Sequence, residues 1–209
     1  GPYSHAEGSN TTASNGGSHA EGLGTVSSGM GSHAEGGFAT ASADYSHAEG
    51  SNTTASGVGS HAEGYSTEAS GTYSHAEGYN TISTGNYSHS EGSNTNAKGI
   101  YSHVEGVGTI ANDEQHVQGK YNIEDTENKY AHIIGGGTSD TDRKNIHTLD
   151  WEGNAWLSGN ARVSGDARVS GDMTVSNDVR VYGKASVSGD ISTGGEFIEN
   201  GHKLKDIYA

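Results

Sequence analysis

Histidine and glutamate recur together along the first half of the chain. His5, His19, His33, His47, His61, His75, His89 and His103 stand fourteen residues apart. Each is followed two positions later by a carboxylate: Glu7, Glu21, Glu35, Glu49, Glu63, Glu77, Glu91 and Glu105. On an extended strand, residues i and i+2 point to the same face, so each imidazole has a carboxylate beside it. Three chemistries follow. The two groups can form an ion pair, joining neighbouring chains and fixing their register. They can hold a transition metal through nitrogen and oxygen donors. Or His can act as a general base oriented by Glu. Eight identical copies argue against catalysis, because an active site needs one special pocket and not a ladder. The structural reading is preferred, since ion-pair networks also produce titratable clusters. It carries an expectation about pH. Glu beside imidazolium should titrate low and His beside carboxylate high, so stability should peak between about pH 4.5 and 6.5.

The element that positions these pairs is a repeat, [YG]-S-H-A-E-G-x-x-T-x-A-S-G-x, beginning at Tyr3, Gly17, Gly31, Tyr45, Gly59, Tyr73, Tyr87 and Tyr101. Fourteen residues suit one coil of a parallel β-solenoid, with two strands of about five residues and two tight turns. Alternation predicts Ser4, Ala6 and Gly8 on one face and His5 and Glu7 on the other. In the second strand Thr11 and Ala13 share a face with the position of Asn15, where most copies carry Gly. A face of Ser, Ala, Gly and Thr can line only a very narrow interior. Eight coils stacked at the spacing of strands would span roughly 38 Å.

Composition agrees with an unusual interior. Of 209 residues, 34 are Gly, one is Pro and none is Cys, and only 30% are hydrophobic. That is too little Leu, Ile, Val and Phe for a conventional core. Low apolar content and a net charge of −15 would alone suggest disorder; the repeats argue against it. No stretch approaches the ~18–20 apolar residues of a membrane-spanning helix, so no membrane partner is expected. The excess of acidic groups argues against a nucleic-acid partner. Without Cys, redox chemistry does not indicate a compartment. Gly1-Pro2 reads as the scar of a cleaved tag. A single column of this kind buries little, and repeat stacks need neighbours and caps. Association in a closed symmetric assembly is the expected remedy.

Ser-x-Ala-x-Gly strands at this spacing resemble the YadA-type head of trimeric adhesins, over residues 3–114. The resemblance implies a left-handed parallel β-roll assembled as a homotrimer. In that family the outward positions of the first strand are usually aliphatic and face the three-fold axis. Here they are His and Glu, which would place the ladder, and any bound metal ion, at that axis. No other cofactor is expected.

Beyond residue 114 the register slips. Glu114–Gly119 reads as a degenerate ninth copy and Tyr130–Gly135 as a tenth, separated by a polar loop over 120–129. Apolar bulk rises through Val104, Val117 and Ile133, as a cap or widening requires. Residues 115–152 form this transition. Gly135-Gly136-Gly137 with Thr138–Lys144 reads as a surface turn. Trp151 and Trp156 are the only tryptophans and predict a packed junction. Tyr130–Trp156 resembles a segment of minor structural tail proteins from phages and prophages of Gram-positive bacteria. His147 and Asp150 have no nucleophile motif beside them and read as structural.

From Gly153 to residue 194 the period becomes six. Gly or Asn recurs at Gly153, Gly159, Gly165, Gly171, Asn177, Gly183 and Gly189, with aliphatic or small residues two and four positions on. This resembles a hexapeptide left-handed β-helix. A trimeric β-prism, in which three chains intertwine, fits a short run equally well. No His lies between His147 and His202, which argues against the hexapeptide acyltransferases, whose catalytic His sits between subunits. Residues 195–209 read as strand, Asn-Gly turn, strand, and resemble closing segments of phage tail fibres. They form either a natural end or a junction to a further domain.

Tyr45, Tyr73, Tyr87 and Tyr101 occupy the turn before the strand, and Tyr65 and Tyr79 follow it. Such rows pack against the next coil or chain, or offer aromatic faces to a sugar. The expected function is therefore non-enzymatic. The chain would be a trimeric segment of a phage tail fibre or receptor-binding protein. It would join other tail proteins and contact polysaccharide or protein on the bacterial surface. Its place would be the virion tail, outside the cell. The alternatives are a trimeric adhesin head on a bacterial surface and a passive fibre spacer.

Overall fold

The computed structural model describes residues 1–176 and the short strands Ile198–Glu199 and His202–Lys203. The described residues are all-β, and none forms a helix. Two compact units are present, Gly1–Arg162 and Val163–Ala209.

The first unit is a parallel β-solenoid with coils of fourteen residues. Five-residue strands such as His19–Leu23, His33–Gly37 and His47–Ser51 stack in one long sheet with identical positions paired. His33 pairs with His47, Ala34 with Ala48, and Glu35 with Glu49. Two-residue strands such as Thr40–Ala41 and Thr54–Ala55 form a second parallel sheet. This second strand is shorter than the expected five residues, because a turn closes soon after it. The Ser74 hydroxyl donates to the Gly71 carbonyl at 2.7 Å, and Ser88 and Ser102 repeat the bond to Gly85 and Gly99. Ser heads the first strand because it is small enough for the interior and closes the turn behind it.

The interior is built as alternation predicts for the Ser, Ala and Thr positions. Ser60, Ala62, Thr67 and Ala69 are all sealed from solvent. From Ala20 to Ala97, no buried apolar side chain of the roll is larger than Ala. The glycine that ends Ser-His-Ala-Glu-Gly departs from the expectation. Gly64 lies outside the interior with φ +109°, and a Cβ there would collide with the backbone of Gly78. The strand bends at this residue, so side-chain alternation stops. The glycines of the other turn, Gly29, Gly57, Gly71, Gly85 and Gly99, are buried instead.

The variable Tyr-or-Gly position also has a backbone cause. Tyr45, Tyr73, Tyr87 and Tyr101 have φ of 55–60°, and Gly17, Gly31 and Gly59 have φ of 63–66°. The turn demands a left-handed residue, which glycine adopts freely and tyrosine does not. Where Tyr follows Gly, the ring lies on the preceding coil: Tyr45 on Gly31 and Tyr73 on Gly59. The aromatic contact offsets the backbone strain.

The repeat ends as the degenerate copies predict. His116–Lys120 and Tyr130–Gly136 continue the long sheet, with His116 paired to His132. The sheet then turns antiparallel through Asn145–Asp150 and Ala155–Leu157. The second sheet stops at Ile110–Ala111. There the buried side chain of Asn122 takes the place of a further strand: its Oδ1 accepts from Ile110 N at 2.8 Å and its Nδ2 donates to Ile110 O at 2.9 Å. Gln115 replaces the interior Ser. It accepts from Asn112 N and donates to Asp125 Oδ2 and Tyr130 O. Trp156 meets Tyr130 edge-on, with Lys129 over both rings. Both tryptophans remain about half exposed, so the junction is less enclosed than expected.

Within the described hexads, Ala155–Leu157 is a strand. From Ser158 to Ser176 no strand forms, yet bends recur every six residues at Ser158-Gly159, Ser164-Gly165 and Ser170-Gly171. Val163, Val169, Met173 and Val175 are exposed. Hexads from Asn177 to residue 194 lie outside the described residues. Ile198–Glu199 and His202–Lys203 pair antiparallel around Asn200-Gly201, the predicted hairpin.

Candidate functional site

The histidine–glutamate ladder forms one outward face of the long sheet. Parallel in-register pairing stacks the rings: from His19 to His116, successive centroids are 4.7–4.9 Å apart with interplanar angles of 1–4°. The spacing is that of hydrogen-bonded strands, so the backbone dictates it. The expectation paired His and Glu between chains. Within one chain they already meet, with Nε2–Oε separations of 3.4–3.9 Å.

The pairing changes frame along the ladder. His5, His19, His33, His47 and His61 each approach the Glu of their own coil. His89, His103 and His116 approach the Glu of the preceding coil, Glu77, Glu91 and Glu105. His75 stands at the change and has no carboxylate within ion-pair distance among the described residues. Only His5–Glu7 has hydrogen-bond geometry. The Nε2 atoms of His33, His47, His61, His75, His89 and His103 are shielded from solvent and have no hydrogen-bond partner.

The electrostatics reverse the expected direction for His. Burial pulls the imidazoles of His33, His47 and His75 below the ordinary histidine value, and adjacent imidazoles push the same way. The glutamates pull upward and are outweighed. His132 is lowered by burial and by His116 and His147. At these four positions burial first, and the neighbouring imidazoles second, favour the neutral ring.

Beside the ladder, Glu49, Glu63, Glu77 and Glu91 line an open groove with Gly50, Gly64, Gly78 and Gly92. Sequence reasoning found the carboxylates but assigned the glycines to the interior.

The tyrosines form two rows. Tyr73, Tyr87 and Tyr101 stack at 5.7 and 5.1 Å, and Tyr65 stacks on Tyr79 at 5.4 Å. In the first row Tyr73 lies on Gly59 and each following ring covers one side of the ring before it, while all three stay more than half exposed. Tyr45 differs: it is followed by Gly59, which places no side chain against it, and it is 64% exposed.

Among the described residues, His147 and Asp150 share no hydrogen bond or ion pair. The Asp150 carboxylate accepts from Asn154 Nδ2 and from the backbone N–H groups of Glu152 and Asn154. These bonds, led by the Asn154 side chain, hold it below the usual carboxylate value. It is a turn-forming residue between two strands. His147 meets the His132 ring edge-on at 5.7 Å.

The sequence alone missed Asn122, Gln115 and Arg143. Arg143 donates to Gly108 O at 2.7 Å and Asn122 O at 3.1 Å, closing the same end of the roll. Each occurs once, so periodicity carries no signal for them.

Comparison of the sequence with protein-family models and with curated proteins returned no match.

Proposed function

We propose that this chain is a non-enzymatic segment of a homotrimeric fibre, part of the tail of a phage or related particle that attaches to Gram-positive bacteria. It contacts polysaccharide or protein of the bacterial surface and assembles with other tail proteins. The observation that carries the reading is the interior: through coils 2–7 its buried apolar side chains are alanines alone. Hydrophobic stabilisation scales with apolar area removed from water, so a column this narrow gains much by packing against identical columns.

Two features support the trimer. The ladder presents a half-buried outward sheet face that a neighbouring chain can cover. From Ser158 to Ser176 the hexads keep a six-residue backbone rhythm and exposed aliphatic residues without strand pairing. Chains that pair with one another, as in a β-prism, would cover those side chains. For contact with the host, Tyr45 is the best-disposed aromatic platform, because its ring retains an uncovered side. The other five tyrosines also stack coil on coil, in two rows that stay about half exposed.

Binding of labelled protein to intact Gram-positive cells and purified wall polysaccharide tests the reading. Saturable binding that Tyr45→Ala weakens supports attachment. Absence of binding to every host surface tested would favour the spacer.

A further inference from the structure

We propose that the ladder binds zinc within a single chain, at sites built from His47, Glu49 and His61, or His61, Glu63 and His75, and from Glu77, His89 and Glu91. In each trio the ligand atoms lie within 4.8 Å of one another. The nearest contacts are His47–Glu49 at 3.5 Å and His61–Glu63 and His89–Glu77 at 3.6 Å. None of these has hydrogen-bond geometry. A tetrahedral zinc with bonds of about 2.0–2.2 Å holds adjacent ligand atoms roughly 3.3–3.6 Å apart. The observed separations suit a cation seated between the two groups better than a proton shared by them.

A second observation points the same way. The Nε2 atoms of His47, His61, His75 and His89 are shielded from solvent and lack a partner. Buried polar atoms are nearly always satisfied, and two metal ions would satisfy three of these four. Mixed imidazole and carboxylate donors select zinc-like cations over magnesium, which prefers oxygen alone. Each trio supplies three ligands and leaves a fourth for water. The first two trios share His61, so one Nε2 cannot serve both at once. The third is separate. Occupancy therefore reaches two zinc ions per chain. Adjacent coils, 4.7–4.8 Å apart at the rings, must draw their side chains together, so binding clamps coil to coil.

The test is calorimetric titration of zinc chloride into the whole chain after chelator treatment, with magnesium chloride as control. Two zinc ions per chain and no magnesium binding are expected. The double variant His61→Gln/His89→Gln should lose both, while His5→Gln, outside the trios, should keep both. Failure to bind zinc, equal binding of magnesium, or retention of zinc by the folded double variant would overturn the proposal. If that variant does not fold, cobalt titrated into the wild-type chain provides the readout. Imidazole resonances of His47, His61, His75 and His89 should shift strongly, and unshifted resonances would refute the sites.

Discussion

The Ser90 hydroxyl lies 2.8 Å from the Thr95 hydroxyl inside the roll, and both side chains are buried. In the preceding coils, from Ala6 to Ala76, the position of Ser90 is Ala, and the corresponding threonines Thr25, Thr53, Thr67 and Thr81 have buried hydroxyls without partners. One serine thus repairs locally a defect that the repeat leaves open in other coils. Ser90→Ala should strand Thr95 Oγ1 and destabilise the protein by about 1–3 kcal/mol. Ala62→Ser should place a hydroxyl five residues before Thr67, as Ser90 stands before Thr95, and stabilise by about 0.5–1.5 kcal/mol. Thermal melts of the two variants should move in opposite directions.

The glycines of the long strand are fixed by backbone conformation and not by interior space. Gly64→Ala forces a side chain into φ +109° and into the backbone of the next coil. The conformation alone should cost about 1–3 kcal/mol, with the collision adding to it. Gly16→Ala offers a contrast, since φ there is ordinary and a Cβ meets only Pro2 at 3.9 Å. Denaturant unfolding should show a large loss for the first variant and little for the second.

At the end of the second sheet, Asn122 both donates to and accepts from Ile110. Asn122→Ala removes both bonds at a buried site, with an expected loss of about 2–4 kcal/mol. Hydrogen exchange should accelerate first at Ile110. Asn122→Asp keeps the acceptor but sets a buried carboxylate oxygen against the Ile110 and Ile123 carbonyls, so it should lose at least as much as Asn122→Ala.

Lowered imidazole pKa values set the pH dependence of the metal-free protein. In the unfolded chain histidine titrates near 6.5, and His33, His47, His75 and His132 titrate lower when folded. Between the two values the unfolded chain binds more protons, so stability rises with pH through that window. It is lost as pH falls below about 6.5 and levels off below the folded values. Melts in chelator-containing buffer should therefore give a lower Tm at pH 5 than at pH 7.5. This replaces the maximum between about pH 4.5 and 6.5 that isolated ion pairs would give. The difference arises because burial, and then the neighbouring imidazoles, outweigh the pull of Glu at these four rings.

The fold was legible because repetition converts sequence period into parallel register. Fourteen-residue spacing places His33 beside His47, and small residues at Ser60, Ala62 and Thr67 mark the interior. The shortness of the second strand was not legible, since it depends on a hydroxyl bond from Ser74 back to Gly71. Nor was the bend at Gly64, where a left-handed residue breaks strict alternation. The tyrosine rows were visible as positions, but their division into packed rings and the more open Tyr45 depends on which coil carries Gly. The capping trio Asn122, Gln115 and Arg143 acts across as many as 35 residues and leaves no repeated mark.

Light scattering coupled to size exclusion tests the central claim most directly. At neutral pH the account predicts a particle of three times the 21.5 kDa chain mass, which dissociates only as it unfolds. A stable, folded monomer across micromolar concentrations would contradict it.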